Sequence, residues 1–271
     1  MKLIVRCDDL GSFESANRAI ADAVDRGLAR NAGIMVPASA FRQAVEMFRD
    51  RKDVCLGLHT TLTSEWENVR WKPVLPRDQV PSLVEPDGTF RRNAMAMFQH
   101  GVVFEQMLAE IEAQLHAARQ AGLNIEYLDT HMAYSWVHTP ENPTERFESV
   151  MRSFAAREGL AHFGHDYEGG DSGRWIRWRL VPAVRLEHQH SDWVDRFCQA
   201  LRAQVAAGAP EAILVVHPAQ PDEEMACLYE GKNLPGQVAL DRAIDWQALV
   251  HPQVLATCRE LNIQPVKVTE L

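Results

Sequence analysis

Short apolar runs alternate with longer stretches of helical periodicity along the whole chain, and this alternation restricts the fold more than anything else in the sequence. Residues 3–7 read as a strand and 13–28 as a helix, with Ala16, Ile20, Ala23, Val24 and Leu28 on one face and Gly27 at the expected C-cap. A strand at 33–36, a helix at about 40–49 and a strand at 54–58 follow. The helix at 104–121 is the clearest, with Phe104, Leu108, Ile111, Leu115 and Ala118 spaced by threes and fours before Gly122 stops it. Next come a strand at 125–128, a helix at 145–157, a strand at 160–163 and a further strand near 184–186. A helix at 193–206, a strand at 212–216, a helix near 252–261 and a strand at 265–268 complete the series. Seven or eight strands alternating with helices predict a parallel α/β architecture, read here as a single barrel-sized domain over residues 1–271.

Residues 64–103 break the rhythm. They carry KPVLPRDQVP and EPDGTF, rich in proline and turn signals, without sustained periodicity. An irregular insertion that long within a compact domain points to a lid or a wall of a binding site. The net charge of −9 argues against a broad nucleic-acid surface and for a small or neutral partner. No run approaches the roughly 18 apolar residues of a membrane span, and Met1-Lys2 leads into a strand rather than a signal peptide, so a cytoplasmic location is expected. Cys7, Cys55, Cys198, Cys227 and Cys258 are scattered, odd in number and without a CxxC pair, which reads as buried thiols in a reducing compartment.

The polar residues fall where such a fold places chemistry. Four separate apolar runs deliver an Asp or His at their C-terminal ends: Asp8 and Asp9 after LIVRC, His59 after VCLGL, His131 after IEYLDT and His217 after AILVV. In a barrel of parallel strands those ends share one face, where active sites are built. Neighbours on a strand point to opposite faces, so Asp8 and Asp9 reach one site only if the chain bends there, and Gly11 is placed to help. Asp129 and His131 are two apart and point the same way, so Asp129 is a candidate to orient that imidazole from behind. One carboxylate with two imidazoles has the composition of an open hydrolytic metal site, leaving a second carboxylate and a third His for acid–base work. Taken alone, the Asp pair before a glycine fits a turn and helix N-cap equally well.

RCDDLG, GLHTTLT, YLDTH and VVHP occur in that order, with SEWENVRW and VPSL in the insertion. The set resembles the YdjC-like carbohydrate deacetylases, also called the ChbG/HpnK family, whose usual motifs are NADDFG, G-[VL]-H-L-x-L-T, D-[ST]-H and HPG. This resemblance implies a TIM-barrel-like (β/α) fold and metal-dependent removal of acetyl groups from N-acetylated sugars. It further implies Asp9, His59 and His131 as ligands of one divalent ion, Asp8 as general base, and His217 as proton donor. Two imidazoles favour Zn²⁺, while the resemblance admits Mg²⁺. The chain departs from the pattern in two places: DTHMAYSW lacks the further histidines that often follow D-[ST]-H, and Ala219 replaces the glycine of HPG.

The chemistry suits these residue types. Amide hydrolysis needs a polarising cation, a base for the attacking water and an acid for the departing amine. Trp66, Trp71, Trp136 and Trp175 are candidate stacking surfaces for sugar rings, and each is equally suited to core packing. A small carbohydrate is the expected substrate, with no nucleic-acid or membrane partner and a homodimer as the default assembly. Two other classes stay open. A sugar isomerase or lyase on the same fold is disfavoured by the lack of several Glu residues at strand ends. A non-catalytic sugar-binding protein with a closed structural metal leaves the spare Asp and His unexplained.

Overall fold

Nine residues, Lys2–Leu10, form the first strand, β1, and three other strands hydrogen-bond to it directly. The computed structural model describes residues 1–132, 134, 137–138, 146–163, 193–231 and 236–270. After β1 come α1 (Glu14–Arg26), β2 (Asn31–Ile34), α2 (Phe41–Phe48) and β3 (Cys55–Thr60). The insertion contains a short helix, α3 (Ala94–Gln99), and is followed by α4 (Phe104–Gln120), β4 (Ile125–Thr130), α5 (Phe147–Glu158) and β5 (Ala161–His162). The last third contributes α6 (Trp193–Ala206), β6 (Glu211–Val216), α7 (Glu223–Ala226), α8 (Gln237–Val250), α9 (Pro252–Glu260) and β7 (Gln264–Pro265).

The seven strands pair in parallel in the order β5-β4-β3-β2-β1-β6, with β7 beside the first residues of β1. This is the expected parallel α/β architecture, although hydrogen bonds do not close the described strands into a ring. The strand expected near 184–186 lies outside the described residues. β2 starts two residues earlier than its apolar pattern suggests, because Asn31 acts as a buried stitch. Its Nδ2 donates to Val5 O and Val266 O, and its Oδ1 accepts from Val268 N. α8 is hidden from periodicity for a related reason: its buried face carries Arg242 among Val238, Ala239, Ala243 and Leu249.

The two-residue period of each strand sorts side chains between two cores. Leu3, Val5, Leu56, Leu58, Leu128 and Leu214 join the larger core with helix residues such as Ile20 and Met107. On the other face Ile4, Cys55, Tyr127 and Ile213 form a smaller apolar cluster with Phe163, Val266 and Val268. A β-carbon on Gly57 would lie 2.1 Å from the Tyr127 ring, so only glycine leaves room for that interior tyrosine. Two-residue steps from the smaller cluster lead to Arg6 and Asp8 on β1, His59 on β3, Asp129 on β4 with His131 just after it, and His217 after β6. Strand parity thus stacks a polar layer on an apolar plug, at the C-terminal ends of the strands.

The insertion is a packed wall. Trp71, Val80, Leu83, Phe90 and Met97 are buried in the larger core. From α4, the Glu110 carboxylate accepts the Val74 and Leu75 N–H groups, while the Gln114 side chain bonds the backbone N–H and C=O of Thr61. Four cysteines are buried, but Cys227 is exposed at the end of α7, which corrects the expectation of five buried thiols; all five are free.

Candidate active site

The bend that brings both β1 carboxylates to one site occurs at Asp9. Its φ is +66°, in the left-handed region, and the β1–β2 register shifts between Cys7 and Leu10. Asp tolerates that conformation better than a branched or bulky residue would. Ser12 holds the turn by donating its N–H at 3.0 Å and its hydroxyl at 2.6 Å to Asp9 O. Gly11, also at positive φ, carries the turn into α1.

Three of the predicted residues converge there. Asp9 Oδ1 lies 3.5 Å from His59 Nε2 and 3.2 Å from His131 Nδ1, and the three buried groups each present a ligand atom within 4.8 Å of the others. The second Asp9 oxygen accepts from Arg242 Nη2 at 2.7 Å. Behind the rings, Asp129 Oδ1 sits 3.0 Å from His59 Nδ1, and Glu65 Oε2 sits 3.0 Å from His131 Nε2. Each imidazole therefore turns a different nitrogen toward Asp9, with a carboxylate on the other. This donor set fits a divalent ion that takes nitrogen and oxygen ligands, and outer carboxylates are what fix such imidazoles. Asp129 orients His59 rather than the His131 two residues further on. The parallel register sets His59 directly opposite Asp129, and the cross-strand partner is the one its carboxylate reaches.

Asp8, His59 and Asp129 form a second cluster of possible ligands, but a cation from the chain already lies against it. Arg6 donates from Nε to Asp8 Oδ1 at 2.6 Å and from Nη2 to Oδ2 at 2.7 Å, while its Nη1 is 3.0 Å from Asp129 Oδ2. Asp8 Oδ2 lies 4.0 Å from His59 Nε2 and 3.9 Å from His217 Nε2, midway between the buried centre and the outer histidine. The His217 side chain is 45% exposed, in contrast to the buried groups, and its backbone N–H is held by Asp245 of α8 at 2.8 Å.

Charge balance explains the protonation states. Burial works against a charged His59, but Asp129 and Asp8 outweigh it and push its pKa up to about 10. Burial likewise opposes charge on His131, and Glu65 and Asp9 raise it to about 9. Burial also disfavours ionised Asp9, yet Arg242 and the two imidazoles hold its pKa well below the usual carboxylate range.

Arg6, Glu65, Arg242 and Asp245 are the site residues that sequence reasoning missed. Arg6 had a local signal in its strand parity with Asp8, and Glu65 had only its place in SEWENVRW, which says nothing of where the side chain goes. Glu65 arrives from the insertion and Arg242 and Asp245 from α8, and packing brings all three in. Trp71 stands edge-on to His131, with ring centroids 5.5 Å apart, and Trp66 lies 5.7 Å from the Arg242 guanidinium. Both are buried wall residues in the described structure. Trp136 and Trp175 lie outside the described residues.

Fold and site together define a parallel α/β protein with an Asp/His centre of the composition used by mononuclear metal sites. The chain belongs to the YdjC-like protein family, whose model matches residues 2–260. It is 33% identical over 131 residues to a carbohydrate deacetylase of Brevibacillus brevis, covering 48% of this chain and 49% of that one. It is 30% identical over 131 residues to a carbohydrate deacetylase of Enterococcus faecalis, covering 48% of each. The aligned part of the chain thus spans about half the length of these curated relatives. A crystal structure from Enterococcus faecalis, described as a proposed cellobiose-phosphate cleavage protein, superposes with a TM-score of 0.75 at 21% identity, covering 99% of this chain and 98% of that one, and so shares the fold.

Proposed function

We propose that this protein is a carbohydrate N-deacetylase, a single-domain, metal-dependent hydrolase acting on N-acetylated amino sugars or short oligosaccharides. Family membership and the names of its relatives support the class. The observation that carries the reading is the Asp9–His59–His131 cluster with buried Asp8 and half-buried His217 beside it. In this reading Asp9, His59 and His131 hold one divalent ion, Zn²⁺ or Mg²⁺, which supplies Lewis-acid polarisation of the acetyl carbonyl and lowers the pKa of water. Asp8 takes the proton of the attacking water, and the Arg6 fork keeps its carboxylate aimed at the centre. His217, half-buried and 3.9 Å from Asp8, gives a proton to the departing amine. Arg242 fixes Asp9 through one oxygen and leaves the other facing the imidazoles. The five free cysteines support a cytoplasmic location, and no helix among the described residues is long and apolar enough to cross a membrane.

Acetate release from N-acetylglucosamine and its short oligomers, with and without added divalent ion, tests this function. Ion-dependent acetate, lost in Asp9→Ala, His59→Ala and His131→Ala together with ion binding, is expected. A rearranged or cleaved sugar that keeps its acetyl group would instead make the protein an isomerase or lyase. Sugar binding without any turnover would make it a binding protein.

A further inference from the structure

The insertion sends one carboxylate into the centre. Glu65 Oε2 lies 3.0 Å from His131 Nε2, both side chains are buried, and none of the strand-end motifs contains this residue. We propose that Glu65 is a positioning residue: it accepts the Nε2 proton of His131 and holds that ring with Nδ1 toward Asp9, so that this one carboxylate of the insertion raises cation affinity. The inference rests on the metal-hydrolase reading above and extends it to a residue outside the parallel strands.

The two imidazoles face one problem with opposite solutions. A neutral imidazole has one nitrogen carrying a proton and one with a free lone pair, and the partner of the first decides which faces inward. For His59 that partner is Asp129, its neighbour across the β3–β4 ladder, so its tautomer is set by the sheet. For His131 the partner lies on the insertion. That segment is held on several sides. Ser64 donates its N–H to Arg91 O at 2.9 Å, Trp71 donates to Ser64 Oγ at 2.9 Å, and Glu67 donates to Tyr229 O at 3.1 Å. Arg92 reaches Glu65 O at 3.5 Å and pairs with Glu67 at 2.7 Å. Trp71 closes a further side of the His131 ring, so the insertion both packs against that imidazole and sets its proton. Loss of such outer partners typically costs about 10–100-fold in metal affinity.

Calorimetric titration of the ion-free protein with Zn²⁺ and Mn²⁺ tests the proposal, alongside nitrogen NMR of the His131 ring. Glu65→Ala should weaken cation binding by about 10–100-fold. Its protected His131 Nε2 proton signal should disappear. Glu65→Gln, whose amide oxygen still accepts from Nε2, should recover part of the affinity and the signal. Glu67→Ala breaks the Arg92 pair on the same segment without touching His131, and should keep both at wild-type values. Wild-type affinity in Glu65→Ala would overturn the proposal, as would an equal loss in Glu67→Ala, which would mark a merely structural role. A wild type that follows this cation pattern but releases no acetate would sink the deacetylase reading alone. A wild type that binds no divalent cation would overturn both.

Discussion

Asp8→Asn separates the two adjacent carboxylates, and the structure sets its cost. Asn keeps the shape of Asp, so sequence alone suggests an almost neutral change in folding. Arg6 alters that. Asp8 accepts two buried hydrogen bonds from the guanidinium, at 2.6 and 2.7 Å, and in the variant an NH₂ group faces one of those donors. At least one charge-assisted bond is lost, worth about 1.5–3 kcal/mol. Arg6 keeps Asp129 at 3.0 Å, so its charge is not left uncompensated and the loss stays below the ~3–5 kcal/mol of a fully broken buried pair. A loss of about 2 kcal/mol lowers Tm by roughly 4–8 °C in a chain of this size. Cation affinity should change little, because Asp9, His59 and His131 are untouched. Acetate release should fall by about 10²–10⁴-fold, the usual worth of a positioned general base. Thermal melts, cation titration and an acetate assay on one preparation separate these effects. Near-full activity with the ion bound would reduce Asp8 to a buried partner of Arg6 with no part in the chemistry. Loss of the ion together with activity would make Asp8 a ligand and refute the division of roles.

Three further outcomes are expected. Cation affinity should rise with pH: His59 and His131, raised to about 10 and about 9, carry protons in the ion-free protein that binding must expel, so each unit of rise in pH up to 9 strengthens binding by up to about 100-fold when both leave; a flat profile by calorimetry in several buffers would contradict the assignment. His217→Ala should leave cation affinity intact and slow turnover by about 10²-fold or more. It should do so least for an activated aryl acetate, whose leaving group needs no proton; equal losses for both substrates would rule out proton donation. Glu110→Ala removes the acceptor of the Val74 and Leu75 N–H groups, so hydrogen exchange at those amides and proteolysis within 64–103 should accelerate, and unchanged protection would show that the insertion is held elsewhere.

The strand ends illustrate how far sequence reasoning reaches. His59, His131, Asp8 and Asp9 were legible because a residue at the C-terminal end of a parallel strand has few places to go, and strand parity says which face it takes. The bend at Asp9 was legible as a requirement, since two neighbours cannot otherwise share a site, and the left-handed φ of Asp9 meets it. Periodicity failed where a polar residue had a distant partner: Arg242 interrupts the apolar face of α8 because Asp9 neutralises it, and Asn31 begins β2 because three carbonyl and amide groups meet its side chain.

The alternation of apolar runs and amphipathic helices determined the parallel α/β class and the face on which the Asp and His residues gather, because period and connection order are properties of the local chain. Which carboxylate stands behind which imidazole was decided only by tertiary structure. Asp129 serves His59 through the register of β3 against β4, Glu65 reaches His131 from the insertion, and Arg242 reaches Asp9 across 233 positions of sequence. Charges pair by distance in space, and in a low-dielectric interior the nearest partner prevails whatever its place in the chain.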